Sequence, residues 1–125
     1  MDGPTAPGIL ITDSKIDPAE VRRLVECHFG DMVKVVVDVR RRMVAVGGEL
    51  HADAEAMLLE SGSQQADIWG ANYYPGLSRD HCVEFTALIN IRPARGNRSM
   101  AIQDEGVRRA VRDIVHALVG MGEPL

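Results

Sequence analysis

Two polar runs hold most of the side chains whose types and spacing can do chemistry. The first is acidic, Glu49-Leu50-His51-Ala52-Asp53-Ala54-Glu55. On a helix, His51 and Glu55 share one face and Glu49 and Asp53 share another, because positions four apart are neighbours. Carboxylates beside an imidazole can ligate a divalent metal or act as a general acid–base pair, so Glu49, His51, Asp53 and Glu55 are the catalytic candidates. The same acids also have a purely structural explanation, since negative charge at a helix N-terminus is stabilised by the macrodipole. Their spacing matches no H-E-x-x-H zinc pattern.

The second run is basic, Arg92-Pro93-Ala94-Arg95-Gly96-Asn97-Arg98. Guanidinium forks clamp a carboxylate or phosphate with paired hydrogen bonds, and Asn97 and Ser99 add donors. A small anionic ligand held by Arg92, Arg95, Asn97 and Arg98 is the binding expectation, because loops at strand ends carry function disproportionately. The structural alternative is a solvated loop, or arginines paired with the acids of the preceding helix. If the strands leading to Gly48 and Arg92 lie side by side, the two runs meet, either as a site or as a salt-bridge network.

Other chemistry is thinner. Gly47-Gly48 resembles an anion-binding turn, but the acids after it repel phosphate, and a tight strand-to-helix connection explains the pair. Cys27-His28 and His81-Cys82 offer two thiols and two imidazoles should they meet, although adjacent residues seldom point the same way. Ser61 and Ser63 have no G-x-S-x-G elbow. Trp69, Tyr73 and Tyr74 read as core packing, with pocket lining as the alternative. His116 falls on the outer face of the last helix.

The elements that must position these groups follow from punctuation and period. Ile9–Thr12 is a short apolar edge strand. Asp17 caps a helix with Pro18 at its first position, Glu20 at capping-box spacing, Val21, Leu24 and Val25 on its apolar stripe and Gly30 as its stop. Residues 32–39 read as a half-buried strand, with Val33, Val35, Val37 and Val39 on one face and Lys34 and Asp38 on the other. Arg40-Arg41-Arg42 is a solvated turn into a hairpin partner at 43–46. A second helix is predicted over 49–61, then a pair of strands at 68–74 and 83–91. Asp104 caps a last helix striped by Val107, Val111, Ile114, Val115 and Leu118. This order predicts an α+β fold: a single layer of twisted, mostly antiparallel sheet (strand–helix–hairpin–helix–hairpin–helix) with helices packed on one face. The passage through the second helix could add one parallel pairing.

At 125 residues and 46% hydrophobic content the chain suits one domain with its own core. Residues 1–8 read as a flexible leader, 9–120 as the domain and 121–125 as a tail. The net charge of −4 argues against nucleic acid as a partner and against an anionic membrane surface. RNA contact through the arginines at 40–42 and 92–98 is the minor alternative. No apolar run approaches the roughly 20 residues that span a bilayer, and the N-terminus lacks a signal pattern. A cytoplasmic location with Cys27 and Cys82 reduced is therefore expected, although the two could pair on paper.

The strings GDMVKVVVDV, VGGELHADAE, DIWGANYYP and LINIRPARGNRSMAIQD resemble a family of short bacterial proteins of unknown function. The resemblance runs from about Ile9 to Val119, with local departures at Arg40-Arg41-Arg42 and Gly106. It implies a stand-alone bacterial domain and carries over no catalytic residue. The leading functional expectation is a small-molecule or anion-binding domain, with enzymatic activity and a divalent metal left open. The alternative is a non-catalytic interaction module or homodimer, suggested by the valine-rich hairpin and edge strand.

Overall fold

A strand that carries valine on both of its faces needs cover on both. Val33–Asp38 is such a strand: Val33, Val35 and Val37 enter one buried cluster and Val36 enters another. The computed structural model describes residues 8–125, and in it this strand is the middle of a five-stranded sheet. In chain order the strands are β1 (Ile9–Thr12), β2 (Val33–Asp38), β3 (Met43–Gly47), β4 (Ile68–Tyr73) and β5 (Val83–Glu84). Their spatial order is β1-β3-β2-β4-β5, and every neighbouring pair is antiparallel. The helices are α1 (Pro18–His28), α2 (His51–Glu60) and α3 (Glu105–Leu118).

The α+β class, the antiparallel sheet, the β2–β3 hairpin and the edge position of β1 agree with the sequence reading. So do the helix starts. The Asp17 carboxylate accepts from Ala19 N at 2.8 Å, and Asp104 accepts from Val107 N at 2.9 Å. Glu20 does not complete a capping box; it pairs instead with Arg23 on the helix surface.

The placement of the helices differs from the expectation of one covered face. α1 and α3 pack with Val35, Val37, Val44 and Tyr73, whereas Ala54 and Leu58 of α2 pack with Ile9, Val36, Ala45 and Ile68 on the opposite face. β2 is consequently buried on both sides, and Asp38, expected to face solvent, is fully enclosed. Its carboxylate accepts from Arg40 N and Arg41 N, each at 2.9 Å, and from Ser63 Oγ at 2.6 Å, which resolves the burial cost. No parallel pairing forms among the described residues, because β4 returns beside β2 in the antiparallel sense.

Two boundaries also move. Gly47 and Gly48 have φ of 113° and 88°, in the left-handed region, and Leu50 is extended, so α2 begins at His51 rather than Glu49. The strand expected over 83–91 pairs with β4 only as Val83–Glu84, opposite Tyr73 and Asn72, and Thr86 bridges antiparallel to Ala101 instead. Beyond it the chain forms short 3-10 turns at Leu88–Asn90 and Pro93–Arg95. The reason is a substitute partner for β4: Gly70 N donates to Asn90 Oδ1 at 2.8 Å, and Asn90 Nδ2 donates to Gly70 O at 2.9 Å. The expected leader falls largely on residues 1–7, outside the described residues. Within the 121–125 tail, Gly122 is buried and its N–H donates to Tyr73 Oη at 2.9 Å.

Asn90→Ala should leave two buried backbone groups of Gly70 unpaired and lower stability by about 3 kcal/mol in urea unfolding. A loss below about 1 kcal/mol would mean that Gly70 finds other partners.

Candidate functional site

Alternation along β2 and β4 turns Lys34 and Val36, and Ile68, Gly70 and Asn72, towards the α2 face. The register then sets three polar residues side by side: Lys34 opposite Asn72, and Asn72 opposite Glu84. The first residue of α2, His51, lies over this row. Between α2 and the 86–100 segment opens a cleft of about 450 Å³. Lys34, His51, Asn72 and Thr86 form its polar part, and Met32, Leu50, Leu88, Ile89 and Met100 form its apolar walls.

His51 is only 8% exposed, and its Nε2 lies 2.8 Å from the carbonyl oxygen of Ala71. A carbonyl can only accept, so Nε2 carries the proton and Nδ1 of the neutral ring is left as an acceptor. Burial pushes the imidazole pKa down, which the Ala71 carbonyl opposes. Lys34 adds to the lowering, while the neighbouring Asn72 side chain, a weak hydrogen-bond partner of the ring, and the Glu84 charge act against it.

Asn72 is 9% exposed. Its Nδ2 donates to Glu84 Oε1 at 2.8 Å, and the Tyr74 hydroxyl donates to the same oxygen at 3.2 Å. Because a carboxylate only accepts, this fixes the amide orientation and leaves Asn72 Oδ1 on the other side. That oxygen is buried near the His51 ring and has no partner within full hydrogen-bond distance.

The residues singled out in the sequence scatter around this cleft. His51 lines it. Glu49 and Asp53 are exposed, as are Arg95 and Arg98. The acidic and basic runs touch through one pair, Glu55 and Arg92, at 3.9 Å. Arg92 is otherwise held by the fold: Nε donates to Ile89 O at 3.1 Å, Nη2 to Ile68 O at 2.5 Å, and the guanidinium lies 4.7 Å from the Trp69 ring centre. Asn97 is buried, its Nδ2 donating to the carbonyls of Asn90, Ser99 and Ala101.

No three of His, Cys, Asp and Glu gather as a metal-binding group among the described residues. Cys27 packs near Gly8 beside the β1 edge and Cys82 leads into β5 at the other, so the two Cys–His segments do not meet. Both cysteines are free. His116 is half-buried rather than exposed, and its Nε2 donates to Arg79 O at 3.2 Å.

Sequence reasoning missed Lys34, Asn72, Glu84, Leu88 and Met100 as parts of a site. One signal was present. A glycine inside a strand marks close approach by another segment, and a Cβ on Gly70 would stand 2.5 Å from Ala87 Cβ and 3.2 Å from His51 Cδ2. That contact brings α2 and the 87–89 segment together over β4.

Residues 10–118 match a family described as protein of unknown function, DUF5674. The chain belongs to the DUF5674 family. The match runs from β1 to the end of α3, so every element that builds the cleft lies within the DUF5674 region. No curated protein and no solved structure matches the chain.

The lowered pKa values of His51 and His116, both caused first by burial, set a pH window. Each ring is easier to protonate unfolded than folded, so stability is fully present above about pH 6.5 and declines as pH falls below it. Urea unfolding between about pH 5.5 and 8 should follow this course, and His51→Gln should make it shallower, leaving the His116 part. An unchanged profile in His51→Gln would show that His51 does not titrate abnormally.

Proposed function

We propose that this domain binds a small, largely apolar molecule in the cleft between α2 and the 86–100 segment, with Asn72 and His51 meeting its polar end. The observation that carries the proposal is Asn72 Oδ1, a buried acceptor with no partner on the wall of an apolar opening. Such a group costs about 1–3 kcal/mol, and unlike the other unpaired buried polar atoms, on His28, Glu55 and Arg92, it belongs to a residue lining the cleft, so a bound donor there removes a penalty. A volume of about 450 Å³ falls within the usual range of ligand sites. Leu50, Leu88 (70% exposed) and Met100 add apolar surface at its edges.

The proposal keeps His51 from the acidic run. Enzymatic use of the cleft would fall to its neutral imidazole, whose Nδ1 can accept a proton from a bound substrate. An anionic portion of a ligand would meet Lys34 within the cleft, or Arg95 and Arg98 on the exposed loop. A bacterial, cytoplasmic setting belongs to the same reading, the first from the resemblance and the second from the free cysteines. No helix among the described residues is long and apolar enough to cross a membrane.

A second reading, a homodimeric interaction module, is favoured by β1 at the sheet edge and by the exposed Leu50, Leu88 and Met100. The two readings separate in an amide NMR screen of neutral aromatic fragments. Ligand binding should shift the Asn72 side-chain amide and the backbone signals of Lys34 and His51, and Leu88→Arg should remove the response. A flat screen, with a mass that rises with concentration in sedimentation, would transfer the cleft to the dimer reading.

A further inference from the structure

We infer that a second site, a small opening at Arg92 and Arg95, holds the carboxylate group of a small anionic ligand. It stands apart from the cleft and shares no lining residue with it.

A buried cation needs its charge balanced and its N–H groups paired. Arg92 meets these needs incompletely. Its side chain is 11% exposed, Nε and Nη2 donate to the carbonyls of Ile89 and Ile68, and Nη1 is buried with no partner. The carboxylate beside it, Glu55, stays 3.9 Å from Nη2, and its Oε2 is likewise buried without a hydrogen bond. The Trp69 ring covers one face of the guanidinium, its centre 4.7 Å away.

Arg95 increases the imbalance. It lies three residues on, where its backbone N–H donates to Arg92 O at 2.9 Å and closes a 3-10 turn. Side chains three apart on such a turn come to the same side. Both arginines line an opening of about 230 Å³, walled also by Gln65, Ala66 and Ala94. Burial pushes the Arg92 pKa down and Glu55 opposes this, whereas the positive charge of Arg95 adds to the lowering. Arg95 has no salt-bridge partner among the described residues. The nearby carboxylates are engaged elsewhere: Asp67 pairs with Arg40 at 3.0 Å, and Asp104 caps α3.

Charge and size together choose the occupant. Two guanidinium groups and the Glu55 carboxylate leave a single positive charge in excess, which one carboxylate neutralises. A dianion such as phosphate or sulfate would leave negative charge in excess beside Glu55. A carboxylate also accepts paired N–H bonds from a guanidinium fork. The opening is smaller than the roughly 300 Å³ at which sites for larger ligands begin, so the ligand body is short or projects into solvent.

Propionate, propionamide, sulfate and chloride, each titrated into the full chain at neutral pH and constant ionic strength, separate these possibilities. The Nε–H NMR signals of Arg92 and Arg95 read the site. Propionate should give saturating shifts at both and bind tighter than sulfate, while propionamide and chloride should give none that saturate. Arg95→Gln, a change on an exposed side chain, should weaken propionate about tenfold, the worth of a charge-assisted hydrogen bond. Glu55→Gln removes both a competitor for Arg92 and a negative charge, so propionate should bind tighter there and sulfate should overtake it.

An absence of saturating shifts at Arg92 would overturn the inference and mean that Glu55 closes on Arg92 and excludes other anions. Shifts that chloride reproduces, or a propionate affinity unchanged in Arg95→Gln, would overturn it as well. Tighter binding of sulfate than of propionate to the unaltered chain would overturn the assignment to a carboxylate.

Discussion

Past Asn72, the outer edge of β4 has no strand to bond with, yet its backbone is buried there. β5 supplies partners for Tyr73 and Asn72 and then ends. At Gly70 the carboxamide of Asn90 takes over, giving and receiving the two hydrogen bonds that a strand residue would have made. A buried peptide group must be paired, and this requirement fixes where the chain after β5 can lie. Asn97 then ties Asn90 O, Ser99 O and Ala101 O together, and Arg92 reaches back to Ile68 O. With the backbone of this segment held by these side chains and by the bridges Thr86–Ala101 and Arg92–Asn97, Leu88, Ile89 and Met100 are left facing the start of α2.

This arrangement also explains the division of labour among the charged groups. Arg92 and Glu55 are drawn into the support of the segment, with Arg92 over the Trp69 ring. Asp38 and Ser63 do similar service at the β2–β3 turn, where the carboxylate organises the backbone of the arginine triplet. Opposite charge in the sequence thus marks places where irregular backbone is stitched down. Around His51 the groups are a ring whose pKa is lowered first by burial, the unpaired Asn72 amide oxygen, and Lys34, which has no carboxylate partner among the described residues and lies over the Phe29 ring.

How far the sequence could be read depended on how local the cause was. The caps at Asp17 and Asp104 and the stripe from Val107 to Leu118 are interactions within a few residues, and these elements stand where the pattern puts them. The face chosen by α2 was not legible, because its short apolar stripe of Ala54 and Leu58 says nothing about which side of a distant sheet it will cover. Residues 85–91 alternate like a strand, but Gly70 is served by a side chain from Asn90, and no periodicity encodes that. In the site, His51 announced itself through the polar run around it. Lys34, Asn72 and Glu84 become neighbours only through register, so each looked like an ordinary polar residue in its own stretch.

The double cover of the sheet also constrains how the chain can come together. One layer needs α1, near the start, and α3, near the end, while the other needs α2 to meet β4 and then Ile89, which follows later. Neither layer is complete while the last third of the chain is still emerging from the ribosome. The valine-rich hairpin must wait with one side unfilled, and β4 must wait for Asn90. The natural consequence is a domain that folds in one concerted event once α3 is available, its cleft appearing only then, rather than one assembled segment by segment.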